Sequence, residues 1–499
     1  MNKKRILSSV LAVVCLISLF SGCGKKGSGV IKWSISGTKP AAYDAVMAKV
    51  NEYIEPELGV KLEIEYLGSS ALQEQTKLRM ASGEAIDLVF TSNWLNDYHT
   101  LANLGGLYDL TDLIDNIKMK DGTTASLNSV IDSYYMDGAK IKGRIYGIPN
   151  IQVASNPGCL VMEKPIADES GVNMAGLQET ALKVKDAETS KAYMDMLSGE
   201  LAKVKAKRPD LTTMNPTSFN TVATENIYET LVGGIALRRD GTSDKLVILA
   251  DMPEYQYGID TLNKWYDAGY IRNDIASKGA AMASIDEERL HAVTWNTWKP
   301  GQDVYFKAQR ENTEPVYSFI SQPYVKSTAP LSTMISVGAT TNYPEECVKL
   351  IYMLNSNKDM FNALNFGIEG ENYNVNADGT VTEIPDSGWN LGKNAWKMGN
   401  QFNSFVMEGQ PLDVWEQTKK MNDDAPKSPA IGFVPDTTKI TTELANITNV
   451  EAEYNARINY GTAPRSEYWE EYRSKLETAG IQKVLDELQN QYDEFLASK

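Results

Sequence analysis

Histidine is nearly absent: His99 and His291 are the only two in 499 residues. A histidine-based triad or metal site would have to use one of them. Neither sits in a motif that supplies its partners, so both read as structural. No HExxH, GxSxG, P-loop or dinucleotide fingerprint occurs. Cysteine is scarce too, at four, with no CxxC and no cluster, which argues against a structural zinc site. Nothing calls for a metal or another cofactor. Basic residues fall short of acidic ones, 49 against 65, for a net charge of −16. That deficit makes nucleic acid and anionic lipid poor partners, since both demand basic surface, and suits neutral or cationic ligands. Beyond Phe20 no stretch is long and apolar enough for a transmembrane helix, and no repeat, low-complexity block or long charge run appears.

What is present begins with a leader. Lys3, Lys4 and Arg5 form a positive region, and residues 6–20 are an apolar run too short to span a bilayer comfortably. Residues 1–22 therefore read as a signal peptide. Ser21 and Gly22 stand directly before Cys23, which resembles a bacterial lipobox, with Phe20 in place of the usual leucine. That resemblance implies cleavage before Cys23 and acylation of its thiol and new amino group, palmitate included. More than one acyl chain gives stable anchoring, where one is marginal. Residues 23–29 then hold the lipidated cysteine and a Gly-, Ser- and Lys-rich tether. The folded part is expected outside the cell membrane, held to it by lipid. Losing three basic residues with the leader brings the net charge to about −19. Cys15 leaves with the leader, so Cys159 and Cys347 remain, read as buried free thiols rather than a disulfide.

Residues 60–94 organise the rest. Val60, Leu62, Ile64 and Tyr66 alternate with mostly charged neighbours, the period of a strand. Leu72, Thr76, Arg79 and Met80 then recur at helical spacing until Ser82-Gly83. Ile86, Leu88, Val89 and Phe90 form a short apolar run, as in a strand buried on both faces. This is a βαβ unit, and its two strands should be parallel. Ligands of open α/β sheets bind beyond the carboxyl ends of the strands. Here that end carries Thr91-Ser92-Asn93-Trp94, suited to a polar organic ligand.

Several further elements are legible. Residues 30–35 read as a first strand, and Pro40 opens a helix with Val46, Val50, Tyr53 and Ile54 on one face, ended by Glu55-Pro56. In GRIYGIPN (143–150), Pro149 forces an extended backbone before it, a strand able to leave one lobe for another. Residues 290–294 read as a buried strand ending in Trp295-Asn296-Thr297-Trp298, a second strand end with Thr, Asn and Trp and the expected facing jaw. YNVNADGTVTEI (373–384) reads as a hairpin turning at Asp378-Gly379. The final helix aligns Ile481, Val484, Leu485, Leu488, Tyr492, Phe495 and Leu496, so it should end docked on a lobe.

Taken in order, AIDLVFTSNW (85–94), GLYDLTDLI (106–114), GRIYGIPN (143–150), HAVTWNTWKPG (291–301) and YPEECVKLIYMLNS (343–356) resemble the extracellular solute-binding proteins of bacterial ABC importers. The likeness is to the carbohydrate-uptake group that includes maltose-binding protein. NFGIEGENY (365–373) and AGIQKVLDELQNQYDEFL (479–496) resemble a narrower lipoprotein subgroup with its own C-terminal region. The resemblance implies an α/β, two-lobed, periplasmic-binding-protein-like fold with hinge crossings near Pro149 and Gln322-Pro323 and a helix-rich C-terminal region. Lobe one would hold residues 30–148 plus 325–368, and lobe two residues 150–322 plus 370–499. It also implies a monomer that passes its ligand to ABC permease subunits and leaves it chemically unchanged.

A sugar presents hydroxyl edges and apolar faces, met by Asn, Gln, Asp and Thr on one hand and Trp and Tyr on the other. The candidate ligand-binding residues are Thr38, Asn93, Trp94, Trp295, Asn296, Trp298, Tyr373 and Trp396, with Asn93 and Trp94 foremost. Tyr98 and Tyr146 read as core, and Trp33 as packing. Two alternatives stay open: an extracellular glycoside hydrolase, which needs only two suitably spaced carboxyls, and a surface adhesion or sensor lipoprotein.

Overall fold

Alternation over the first half of Val60–Leu67 gives a strand with Val60, Leu62 and Ile64 buried and Lys61 and Glu63 exposed. Helix Ser69–Ser82 follows, burying Leu72 and Thr76, and Gly83 closes it in the left-handed conformation at φ 71°. Leu88–Thr91 is a strand buried at all four residues. Both strands run parallel to Gly29–Ser36, which lies between them. The computed structural model describes residues 29–217, 222–282, 284–389 and 392–498. The leader, the proposed acylated Cys23 and the tether up to residue 28 lie outside the described residues.

The sheet is completed by Met334–Val337, antiparallel to the first three strands, and by Gly147–Pro149, which pairs antiparallel with it and so runs with the first three; a segment more than 180 residues downstream thus closes the first lobe. Helices Tyr43–Leu58, Pro344–Ser356 and Lys358–Phe366 cover it and share its core with Trp33, Phe90, Tyr98 and Leu354. One boundary differs from expectation. The helix expected to stop at Glu55-Pro56 continues to Leu58, where left-handed Gly59 donates to the Glu55 carbonyl. Proline removes one hydrogen bond there, but in the last turn few remain to be lost, and the Gly59 cap sets the true end.

A second sheet, in the order Pro315–Phe319, Gly158–Glu163, His291–Thr297, Thr212–Met214, builds the second lobe. Its core gathers Leu160, Leu201, Leu262, Trp265 and Val293. The chain thus passes between the two sheets through residues 150–157 and again through 320–333. Cys159 and Cys347 are both free and fully buried, one in each of these cores' walls. Burial pushes the Cys159 thiol up to about 12 and the Cys347 thiol up as well.

A third core joins the small antiparallel sheet of residues 228–248 to the C-terminal helices Thr441–Tyr460, Trp469–Ala479 and Ile481–Ala497. Ile481, Val484, Leu488 and Tyr492 are the buried face of the last helix. The chain end is therefore docked rather than free. Trp389 and Met398, by contrast, pack into the first core.

Candidate functional site

The turn after Leu88–Thr91 is organised by one hydroxyl. Ser92 Oγ accepts from the backbone N–H groups of Trp94 (3.2 Å) and Leu95 (2.7 Å) and donates to the Leu95 carbonyl (2.8 Å). This tight turn leaves the Trp94 ring 57% exposed, while its Nε1 donates to the Ser332 carbonyl at 2.8 Å. Phe90 supports the ring from within the strand at 5.8 Å between centroids. Trp396 lies 6.5 Å from Trp94, with the ring planes 31° apart. Trp396 is itself fixed at both ends. Its carbonyl accepts from Thr333 Oγ1 (3.1 Å) and its Nε1 donates to the Lys393 carbonyl (3.0 Å). Residues 302 positions apart in sequence thus form one aromatic wall at the mouth of the first lobe.

Trp396 also lines a cavity of about 400 Å³. Lys299, Pro300 and Tyr305 reach it from the second lobe, Val153 from a crossing segment, and Phe366, Phe405, Gln401, Gln410 and Trp415 from around Trp396. Flat rings with amides and hydroxyls between them are the mixed lining that sugars need, and the volume falls within the usual range for small-molecule sites. Burial lowers the Lys299 ammonium below its ordinary value and raises the Tyr305 phenol above it. Lys397 is 4% exposed and donates to the Ser36 carbonyl at 2.6 Å, at the end of the first strand. Desolvation brings it down to about 8.

The remaining expected site residues are scattered. Thr38 is exposed two residues past the strand that Lys397 caps. Asn93 donates its backbone N–H to the Leu331 carbonyl and lines a different cavity, of about 450 Å³, beside His99, Asn103, Leu231 and Phe433. Trp295 and Asn296 are not beyond a strand end, because His291–Thr297 runs on through them. Trp295 packs on the second core with its Nε1 unpartnered among the described residues. Asn296 Oδ1 accepts from the Thr297 N–H at 2.8 Å. Trp298 sits against Phe319 at 5.3 Å and lines a third cavity, of about 330 Å³, with Pro157 and Met421. Tyr373 is 7% exposed and packs on Phe366 and Phe405, two residues of the 400 Å³ lining. His99 is driven down to about 4 by burial, and His291 is lowered for the same reason. Among the described residues no group of three or more His, Cys, Asp or Glu is placed to hold a metal.

Sequence reasoning missed Gln152, Lys299, Tyr305, Lys393, Lys397 and Trp415. Lys299 stands in the HAVTWNTWKPG segment and was within reach. Gln152 lies three residues past the crossing proline, and its Nε2 donates to Ser332 Oγ and Thr333 Oγ1, both at 3.2 Å. Tyr305, on helix Gln302–Ala308, carries no local signal.

Comparison with known proteins now bears on this geometry. Residues 48–367 match the model of the bacterial extracellular solute-binding proteins, and residues 429–497 match a domain of unknown function. A carbohydrate ABC transporter substrate-binding protein of Streptococcus pneumoniae serotype 4 is 26% identical, across 100% of this chain and 99% of that one. The crystal structure of the N-glycan transport solute binding protein NgtS from Streptococcus pneumoniae superposes with a TM-score of 0.78 at 24% identity, covering 94% of this chain and 99% of that one. Its complex with Man5GlcNAc gives 0.66 at 25% identity, covering 95% and 99%.

Proposed function

Because the chain belongs to the bacterial extracellular solute-binding proteins, we propose that it captures a sugar or oligosaccharide between its lobes and delivers it to the permease of an ABC importer. The observation that carries this reading is the Trp94–Trp396 wall beside a 400 Å³ cavity that draws residues from both lobes. The carbohydrate transport role of the full-length relative and the glycan complex of NgtS support the cargo class.

Two lobes with separate cores and more than one crossing segment suit a hinge. Closure then follows when a ligand binds the closed form better than the open one. The proposed lobes are residues 30–148 with 325–368, and residues 150–322 with 370–499, save that the stretch holding Trp389, Trp396 and Met398 packs with the first lobe. Trp94 and Trp396 are the leading contacts, and Tyr373 acts from behind the lining. The protein works as a monomer anchored outside the cell by acylated Cys23. Among the described residues no helix is long and apolar enough to cross a membrane.

Incubation with a saccharide library tests the reading. Ligand-dependent melting shifts with every sugar recovered intact are the expected result. New reducing ends would instead establish a glycoside hydrolase. Capture of permease subunits from membranes separates a transporter component from an adhesin, and Cys23→Ala should release the protein from the membrane fraction.

A further inference from the structure

The protein is strongly acidic, yet its cavity is not. Lys299 and Lys393 line the 400 Å³ space, against a single lining carboxylate, Glu383. The Lys299 ammonium lies 5.9 Å from the Tyr305 ring centroid, so cation and ring face the same space. Next to them Lys397 is buried, its ammonium 5.4 Å from the centroid of Trp396 and bonded to one backbone carbonyl. Among the described residues neither Lys299, half-buried, nor Lys397, buried, forms an ion pair, and loss of water lowers both ammonium groups. A buried cation without a counter-charge is unfavourable, and proteins seldom keep one without use for it. Elsewhere acidic side chains are at hand: Lys164, Lys183, Lys191 and Lys420 each hold a carboxylate one helical turn away.

We propose that the cavity takes an acidic saccharide, whose carboxylate is met by Lys299 and Lys393 while Trp396 covers the sugar ring. This rests on the sugar-capture reading above and narrows it. The overall charge of −16 does not oppose it. Surface charges more than about 8 to 10 Å away are screened by salt, whereas a cation inside a low-dielectric cleft acts at close range. Lysine also donates readily to neutral hydroxyls, so a neutral sugar is the competing occupant.

Matched ligands separate the two. The probes are a galacturonate trisaccharide with its carboxyl-reduced counterpart, and sialyllactose with lactose, titrated calorimetrically into the mature protein. The acidic member of at least one pair is expected to bind about tenfold or more tightly. That preference should shrink as salt rises. Lys299→Gln should remove most of it, and Lys393→Gln, at an exposed position, gives the same direction without risk to the core. Equal affinity within both pairs, or a preference for the neutral member, overturns this inference and leaves sugar capture standing. Absence of binding by every saccharide overturns both.

Discussion

Trp94→Ala separates a binding residue from a core residue. Trp94 is 57% exposed and its ring keeps one hydrogen bond, to the Ser332 carbonyl. A tryptophan offers roughly 200 Å² of surface, so roughly 110 Å² remains for a ligand to cover. At about 25 cal/mol per Å², full coverage is worth up to about 3 kcal/mol of binding, or roughly a hundredfold in Kd. The folded state loses far less. One half-exposed hydrogen bond and partial packing on Phe90 amount to about 1 kcal/mol, a fall in Tm of about 2 °C or less for a chain this size. Trp33, 0% exposed in the first core, is the control. Trp33→Ala should cost about 3 to 5 kcal/mol of stability. The assay is calorimetric titration of the best saccharide into each variant, beside thermal melts without ligand. Unchanged Kd in Trp94→Ala, or a loss of Tm as large as that of Trp33→Ala, would show that the ring is packing and that the wall has been misread.

Other outcomes follow from single contacts. Asn422 is buried in helix Val414–Asp424 and holds a crossing segment through the Ala154 N–H (2.9 Å), Ser155 Oγ (3.0 Å) and the Gln152 carbonyl (2.8 Å). Asn422→Ala strands these groups and should cost about 2 to 4 kcal/mol in chemical denaturation; no loss would mean water replaces the amide. Lys397 falls from 10.5 to about 8 on burial, so the unfolded chain binds its proton more readily between those values and stability from this group rises with pH there. The stability difference between Lys397→Met and the parent should therefore favour the variant at pH 7 by up to about 3 kcal/mol, less what the lost bond to the Ser36 carbonyl contributes, and shrink toward pH 10.5; a constant difference would rule out a titrating Lys397. Cys159 and Cys347 should resist a thiol reagent at pH 8 until denaturant is added, and prompt labelling of either would contradict its burial.

How much of this was legible depended on whether the signal was local. The strand–helix–strand of residues 60–91 is written in periodicity, and each element formed where the period changed. The docked face of Ile481–Ala497 was equally plain. Trp94 was found because a turn after a buried strand is a local feature. Trp396 is a candidate by residue type alone, and its pairing with Trp94 is not legible, since 302 residues separate the two rings. Trp295 shows the opposite failure. Its motif repeats that of Trp94, but the strand continues past it, and alternation then turns the ring toward the second core. Lys397 and Tyr305 had no pattern at all, since a single charged or aromatic residue becomes a cavity wall only through tertiary placement.

The crossing segments explain how a cavity built from both lobes can open without loss of either core. Val325 donates to the Pro426 carbonyl and accepts from the Ser428 N–H, and Ile151 pairs with the backbone of residues 399–401. The crossings are therefore tied laterally to chain returning from the far side, and not to the sheets alone. Such a strap twists by small changes in φ and ψ at several residues, with its own hydrogen bonds kept. On the proposed hinge the lobes would move as rigid bodies, because each buries its apolar side chains internally. Closure on that hinge would change the exposure of groups at the mouth, Trp94 and Tyr305 above all. A ligand that covers these in the closed form alone has the differential affinity that closure requires. One that touches only Trp94 binds either form alike and leaves the equilibrium unmoved. Small-angle scattering should therefore show compaction with a saccharide long enough to reach from Trp396 to Tyr305, and no compaction with a monosaccharide even at saturation. Equal compaction by both would place the closing contacts elsewhere in the cleft.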